Sequence, residues 1–79
     1  NWKKHKVYFE TAVKVFFDKN NIDDYDGLHS DDEDRNKIIG KVGKVLVVIY
    51  TERSEKIRII SARLANKKER EDYYAQFYF

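Results

Sequence analysis

The sequence predicts an α+β fold: a small antiparallel sheet of three to four strands flanked by N-terminal and C-terminal helices. Three observations predict it. Apolar residues recur at helical spacing over residues 9–17, β-branched runs separated by turns fill residues 36–62, and a helix-start signal at Asn66 precedes a run of aromatics. Seventy-nine residues make a single domain, 1–79, that buries only roughly 60% of the surface its unfolded form exposes. With 42% hydrophobic and 38% charged residues, the chain is too apolar to be disordered.

The elements follow in order. Phe9, Ala12, Val13 and Phe16 fall at i, i+3, i+4 and i+7, and Phe17 widens the stripe, so residues 9–17 read as an amphipathic helix. Residues 19–34 hold little that is apolar beyond Ile22, Tyr25 and Leu28, and read as a loop with a short edge strand near Asn21–Asp24. Asn36–Val42 is the next strand, and Gly43 with Lys44 turns the chain into Val45–Thr51. The β-branched residues of Val45–Thr51 point to both faces, which places this strand centrally and covered on both sides. Arg53-Ser54-Glu55-Lys56 turns the chain again, and Ile57–Ala62 is the last strand. Asn66 caps the C-terminal helix with Glu69 three residues on, as in a capping box. Tyr73, Tyr74, Phe77 and Tyr78 give that helix an aromatic face, and of the closing Phe77, Tyr78 and Phe79 at least one faces outward.

Composition removes whole classes of function. There is no Cys, hence no disulfide scaffold, thiolate metal site or cysteine nucleophile. The longest apolar run, Val45 to Tyr50, is far short of the ~20 residues of a membrane span. No signal peptide is visible, so the expected compartment is cytoplasmic. The chain also lacks Met, so further residues are expected upstream of Asn1. The net charge of +2 conceals segregation: +3 over residues 1–17, −7 over 18–34, +8 over 35–70 and −2 over the rest. An acidic block beside a basic body points to a polyanionic partner, or to a solvated surface with an acidic loop.

The acidic block does not make a calcium loop. Counted from Ile22, Asp24, Asp26, Gly27 and Glu33 fall at positions 3, 5, 6 and 12, but Ile22 offers no ligand at position 1 and a strand, not a helix, follows. No metal site or cofactor is expected. His29 lies in the acidic loop with no partner spacing in the sequence, and reads as a solvated side chain. His5 lies in Trp2-Lys3-Lys4-His5-Lys6, among cations that favour the neutral imidazole a general base needs; it reads equally as a polar helix-end residue. The last hairpin offers a sharper cluster. With Ser54-Glu55 at its tip, Thr51 faces Arg58 and Arg53 faces Lys56, so Arg53, Lys56 and Arg58 share one face. Glu52 lies beside Arg53, and Arg63 ends the same strand. Like charges placed opposite one another cost stability, and guanidinium groups in a fixed array suit phosphate and the charge that develops on it during cleavage.

Several segments, in order, carry a resemblance. Lys4-His5-Lys6-Val7 and Phe9-Glu10-Thr11-Ala12 with Val15-Phe16 resemble the Lys-His-Gly-Val and Phe-Glu-Glu-Ala segments of BrnT toxins. Val47-Val48-Ile49-Tyr50-Thr51-Glu52-Arg53, Arg58-Ile59-Ile60-Ser61-Ala62-Arg63, and Glu69-Arg70 followed by Tyr73 are similar to that family's two strands and last helix. Lys6 stands where the family has Gly, and Lys19-Asn20 where it has Pro. The resemblance implies a RelE-like fold. It also implies a bacterial ribonuclease toxin encoded with a DNA-binding ribbon-helix-helix antitoxin, BrnA, in a toxin–antitoxin hetero-oligomer, and an N-terminal strand and start of the first helix that this sequence lacks.

The expected activity is metal-independent cleavage of RNA. Arg53, Arg58 and Arg63 are expected at the phosphate and its transition state, His5 or Glu52 as base, and Tyr73 as acid or stacking platform. Lys4, Lys56, Lys67, Lys68 and Arg70 are expected on backbone phosphates. The competing expectation is a non-catalytic nucleic-acid-binding or protein-interaction module, distinguished by whether a proton-transfer group lies within reach of the arginines.

Overall fold

The computed structural model describes residues 7–25 and 35–78. Helix α1 (Phe9–Val15) leads into strand β1 (Ile22–Tyr25). Strands β2 (Asn36–Val42), β3 (Lys44–Arg53) and β4 (Lys56–Leu64) follow, then helix α2 (Lys67–Ala75) and a 3₁₀ turn, Gln76–Tyr78. The strands form one antiparallel sheet in the order β1-β2-β3-β4. Strand β3 therefore has a neighbour on each side and a helix on each face, as its unbroken apolar run from Val45 to Tyr50 requires. Leu46, Val48 and Tyr50 pack with Ala12 and Val15 of α1, whereas Val45 and Val47 pack with Tyr73 of α2.

Helix α1 is shorter than its periodicity suggests and turned on its axis. Ala12 and Val15 are fully buried while Phe9 is 61% exposed, so the stripe centres on the i, i+3 pair rather than on Phe9. Gly40 of β2 explains the turn. A Cβ there would sit 2.8 Å from Val15 Cγ1 and 3.0 Å from the Val15 carbonyl, so its absence lets α1 lie directly on the sheet. The helix closes through i→i+3 bonds from Phe16, Phe17 and Asp18 to Val13, Lys14 and Val15.

Two turns and one irregularity set the faces of the sheet. Gly43 (φ +76°) joins β2 to β3. Ser54 (φ 50°) and Glu55 (φ 66°) join β3 to β4 as a two-residue turn with both residues left-handed, the twist that suits a hairpin. Non-glycine residues adopt that conformation at ~1–2 kcal/mol each, so this tip is strained. Thr51 pairs with Arg58 and Arg53 with Lys56, as the sequence predicts. Further along, Ile49 pairs with Ser61 but Tyr50 with Ile59, which leaves Ile60 as the extra residue of a β-bulge. Arg58 and Arg63 are five positions apart, and strict alternation would put them on opposite faces. The bulge puts both on the α2 side, opposite Thr51 and Val47.

Helix α2 begins as expected. The Asn66 side chain accepts from the Glu69 amide at 2.9 Å, and Glu69 Oε1 accepts from the Asn66 amide at 2.8 Å. Among the described residues, no helix is long and apolar enough to cross a membrane.

Candidate functional site

The α2 side of the sheet divides into two zones. At the hairpin end lie Arg53 and Lys56 at the tip and Arg58 opposite Thr51; the three cations are exposed and the threonine is buried. No ion pair among the described residues engages Lys56 or Arg58. The zone is a cationic patch on a β-hairpin, an arrangement that attracts anions.

At the helix end, charge is paired. Arg63 lays both terminal nitrogens on Glu69, Nη1 to Oε1 at 2.7 Å and Nη2 to Oε2 at 2.8 Å. Lys37 of β2 reaches Glu69 Oε2 at 2.8 Å. The hydrogen bonds from Arg63 overcome the cost of burial and, with those from Lys37 and Asn66, hold the Glu69 carboxyl down to about 2. A carboxylate so held is a fixed anion and not a base at neutral pH. The Glu69 hydrogen bonds also push the Arg63 guanidinium further up.

A second polar knot fastens α2 to the rest of the chain. Tyr73 is only 2% exposed, and its hydroxyl donates to Asp18 Oδ2 at 2.5 Å. The Lys41 amide donates to the same oxygen at 2.8 Å and the Asn20 amide to Oδ1 at 3.0 Å. Burial would raise the Asp18 carboxyl, but the bonds from Tyr73, Asn20 and Lys41 outweigh it and hold it below the usual carboxylate value. Burial and the Asp18 contact together push the Tyr73 hydroxyl far up.

These positions revise several expectations. Tyr73 offers no ring face to a base and no ready proton, because it is a core residue bonded to Asp18. Glu52 pairs with Ile57 on the α1 side of the sheet, so alternation separates it from the arginines it adjoins in sequence. Lys68 leans on Asp72 at 3.5 Å, and Arg70 donates to the Ala65 carbonyl at 2.9 Å. Lys67 and Arg70 line a shallow groove of about 500 Å³ with Glu71, Tyr74, Ala75 and Tyr78. Lys4, His5 and His29, and most of the acidic block, lie outside the described residues. Among the described residues no group of three or more His, Cys, Asp or Glu is placed to hold a metal.

Sequence reasoning missed Lys37, Asp18 and the bulge. The signal for Asp18 was its place just after a helical run, where a side chain can turn back onto backbone amides. A family model described as "Ribonuclease toxin, BrnT, of type II toxin-antitoxin system" matches residues 1–69. No match was found among curated proteins or solved structures.

Proposed function

Because the chain belongs to the BrnT family of ribonuclease toxins of type II toxin–antitoxin systems, we propose that the cationic hairpin face is where RNA is bound and cut, without a metal ion. The observation that carries this reading is the β4 bulge. It keeps Arg63 on the face that Arg53, Lys56 and Arg58 already share, at the cost of a broken ladder.

RNA carries its own nucleophile. The 2′-oxygen attacks the adjacent phosphorus as a base removes its proton, the bond to the 5′-oxygen breaks, and that oxygen takes a proton from solvent. The products are a 2′,3′-cyclic phosphate and a 5′-hydroxyl. Arg53 and Arg58 neutralise the charge that grows on the phosphoryl oxygens in between, the role preorganised guanidinium groups serve best. Lys56 and Arg63 hold the strand by its phosphates, Lys67, Lys68 and Arg70 add positive charge along α2, and Lys4 is a further candidate for a backbone phosphate. The base is assigned to His5, since Glu52 lies on the other face and Glu69 is fully engaged.

The cognate antitoxin, a BrnA-type ribbon-helix-helix protein, covers this face with acidic side chains. Tyr74, Phe77 and Tyr78, at 36%, 50% and 81% exposed, support a second contact on the C-terminal helix. The test is cleavage of RNA by the complete protein in EDTA. Wild type cuts, and Arg58→Ala loses ~100-fold or more in kcat/KM, the scale of losing one transition-state donor. Activity that disappears with chelation, or survives Arg58→Ala intact, sinks this reading.

A further inference from the structure

The charge network beneath α2 holds more cation than it needs for structure. Glu69 Oε1 accepts from Arg63 Nη1 and the Asn66 amide, while Oε2 accepts from Arg63 Nη2 and Lys37 Nζ. All four acceptor positions of the carboxylate are therefore filled. Two cations against one anion leave a net positive charge. The side chains are ordered by exposure, with Glu69 at 7% beneath Lys37 at 28% and Arg63 at 43%.

The geometry makes these two cations a pair. Lys37 rises from β2 opposite Ile49, and Arg63 from β4 opposite Val47, so they meet across the central strand. Nη2 and Nζ each lie 2.8 Å from the same oxygen, so they cannot be farther apart than twice that distance. Two oxygens of one phosphate fit such a span. An ammonium carries three N–H groups and this contact uses one, so Lys37 keeps donors for a ligand.

We propose that Lys37 and Arg63 form a second phosphate site on the RNA-binding face, with Glu69 as the positioning residue that fixes both cations. The inference rests on the ribonuclease reading above and deepens it. Val47 and Thr51, opposite Arg63 and Arg58, are four strand residues or ~13 Å apart along β3. Arg63 is pinned to Glu69 and does not lean toward Arg58. The face thus holds two phosphates of one strand, the scissile one at the hairpin and another, farther along the chain than its immediate neighbour, at Lys37–Arg63.

The test uses the complete protein and a labelled single-stranded RNA decamer in two forms. The 2′-O-methylated form reports binding and the unmodified form reports cleavage. Lys37→Ala weakens binding ~5–10-fold and lowers the slope of log affinity against log salt by ~0.7. Its KM rises while kcat stays within about twofold, as expected for uniform binding, and Lys37→Arg restores both. Glu69→Gln is the sharper probe. Glutamine keeps the helix cap and removes a negative charge, so bulk electrostatics alone would tighten RNA binding. The proposal requires weaker binding, because Arg63 and Lys37 lose their common anchor. Thermal melting separates misfolding from lost contact, and Lys37, on a partly exposed strand position, provides the variant that keeps the fold.

Tighter binding by a folded Glu69→Gln overturns the second site. So does wild-type binding by Lys37→Ala where Arg58→Ala has lost it, and the ribonuclease reading then stands. Wild-type protein that binds the decamer without ever cutting it overturns the ribonuclease reading, and the Lys37 result still decides the phosphate site. Wild-type protein that does not bind at all overturns both.

Discussion

The two ends of one sheet face treat charge in opposite ways. Beneath α2, Glu69 takes up Lys37 and Arg63, and Asp18 takes up Tyr73 with two backbone amides. At the hairpin, Arg53 stands opposite Lys56 with Arg58 two residues on, above a tip whose two residues are both left-handed. At the helix end the acceptors of Glu69 are filled, and these polar groups stabilise the fold by tying α2 to β2, β4 and the end of α1. The hairpin end accepts like-charge repulsion and backbone strain. Cost concentrated at one end of an otherwise consistent structure marks where function sets the sequence.

The largest test of that contrast is Tyr73→Ala. The ring is almost wholly buried against the α2 side of the sheet, in edge contact with Tyr74 and Phe77 at centroid distances of 5.3 and 5.8 Å. Truncation removes that packing and leaves Asp18 short of a donor, for a loss of ~3–5 kcal/mol. A domain of this size has a total of only ~4–12 kcal/mol. The urea midpoint should collapse for Tyr73→Ala and stay near wild type for Arg58→Ala. Equal losses would erase the distinction between the two ends.

Acid titration sharpens the contrast without mutation. Glu69 is held down to about 2 from its ordinary 4.5, so its contribution is complete above pH ~4.5 and is lost as pH falls toward 2. After screening at the exposed Arg63 this amounts to ~2 kcal/mol, and Asp18 shifts in the same direction. Stability measured between pH 6 and 2 should fall through that window, and Glu69→Gln should flatten the fall. A curve that Glu69→Gln leaves unchanged would make the helix-end network electrostatically idle.

Most of the scaffold was legible in the sequence, and the reasons are local. Val45–Thr51 is β-branched on both faces, Asn66 and Glu69 announce the helix start, and an even hairpin loop fixes Thr51 opposite Arg58. The site was less legible because its composition depends on parity, which local signals do not fix. Ile60 sits in an ordinary β-branched run, and nothing in Arg58-Ile59-Ile60-Ser61-Ala62-Arg63 shows that one residue is extra. Without the bulge the arginines divide between faces. The same parity removes Glu52 from the site. Tyr73 and Tyr74 are adjacent in an aromatic run, and contacts distant in sequence, the core of Ile39, Val45 and Val47 and the bond to Asp18 55 residues away, decide which one is buried. Lys37 carried no motif at all; its contact with Glu69 comes from strands meeting under one helix.

The smallest expected effect tests the hairpin end directly. Arg53 and Lys56 are direct cross-strand partners flanking the tip, and opposite like charges destabilise a pair by tenths of a kcal/mol. Lys56→Glu turns repulsion into attraction while leaving the turn residues Ser54 and Glu55 untouched. Stability should rise by ~0.2–1 kcal/mol, read as a small increase in the urea midpoint at low salt that shrinks as salt is added. Function should move the other way. On the proposed reading RNA affinity falls, because a cation assigned to phosphate has become an anion, and so does affinity for an antitoxin that reaches this face with carboxylates. A variant that is more stable and binds both partners less well is what a site maintained against stability predicts. If Lys56→Glu destabilises the fold, the repulsion at the hairpin was not a cost; if it gains stability and keeps RNA affinity, the hairpin is not the surface that meets the strand.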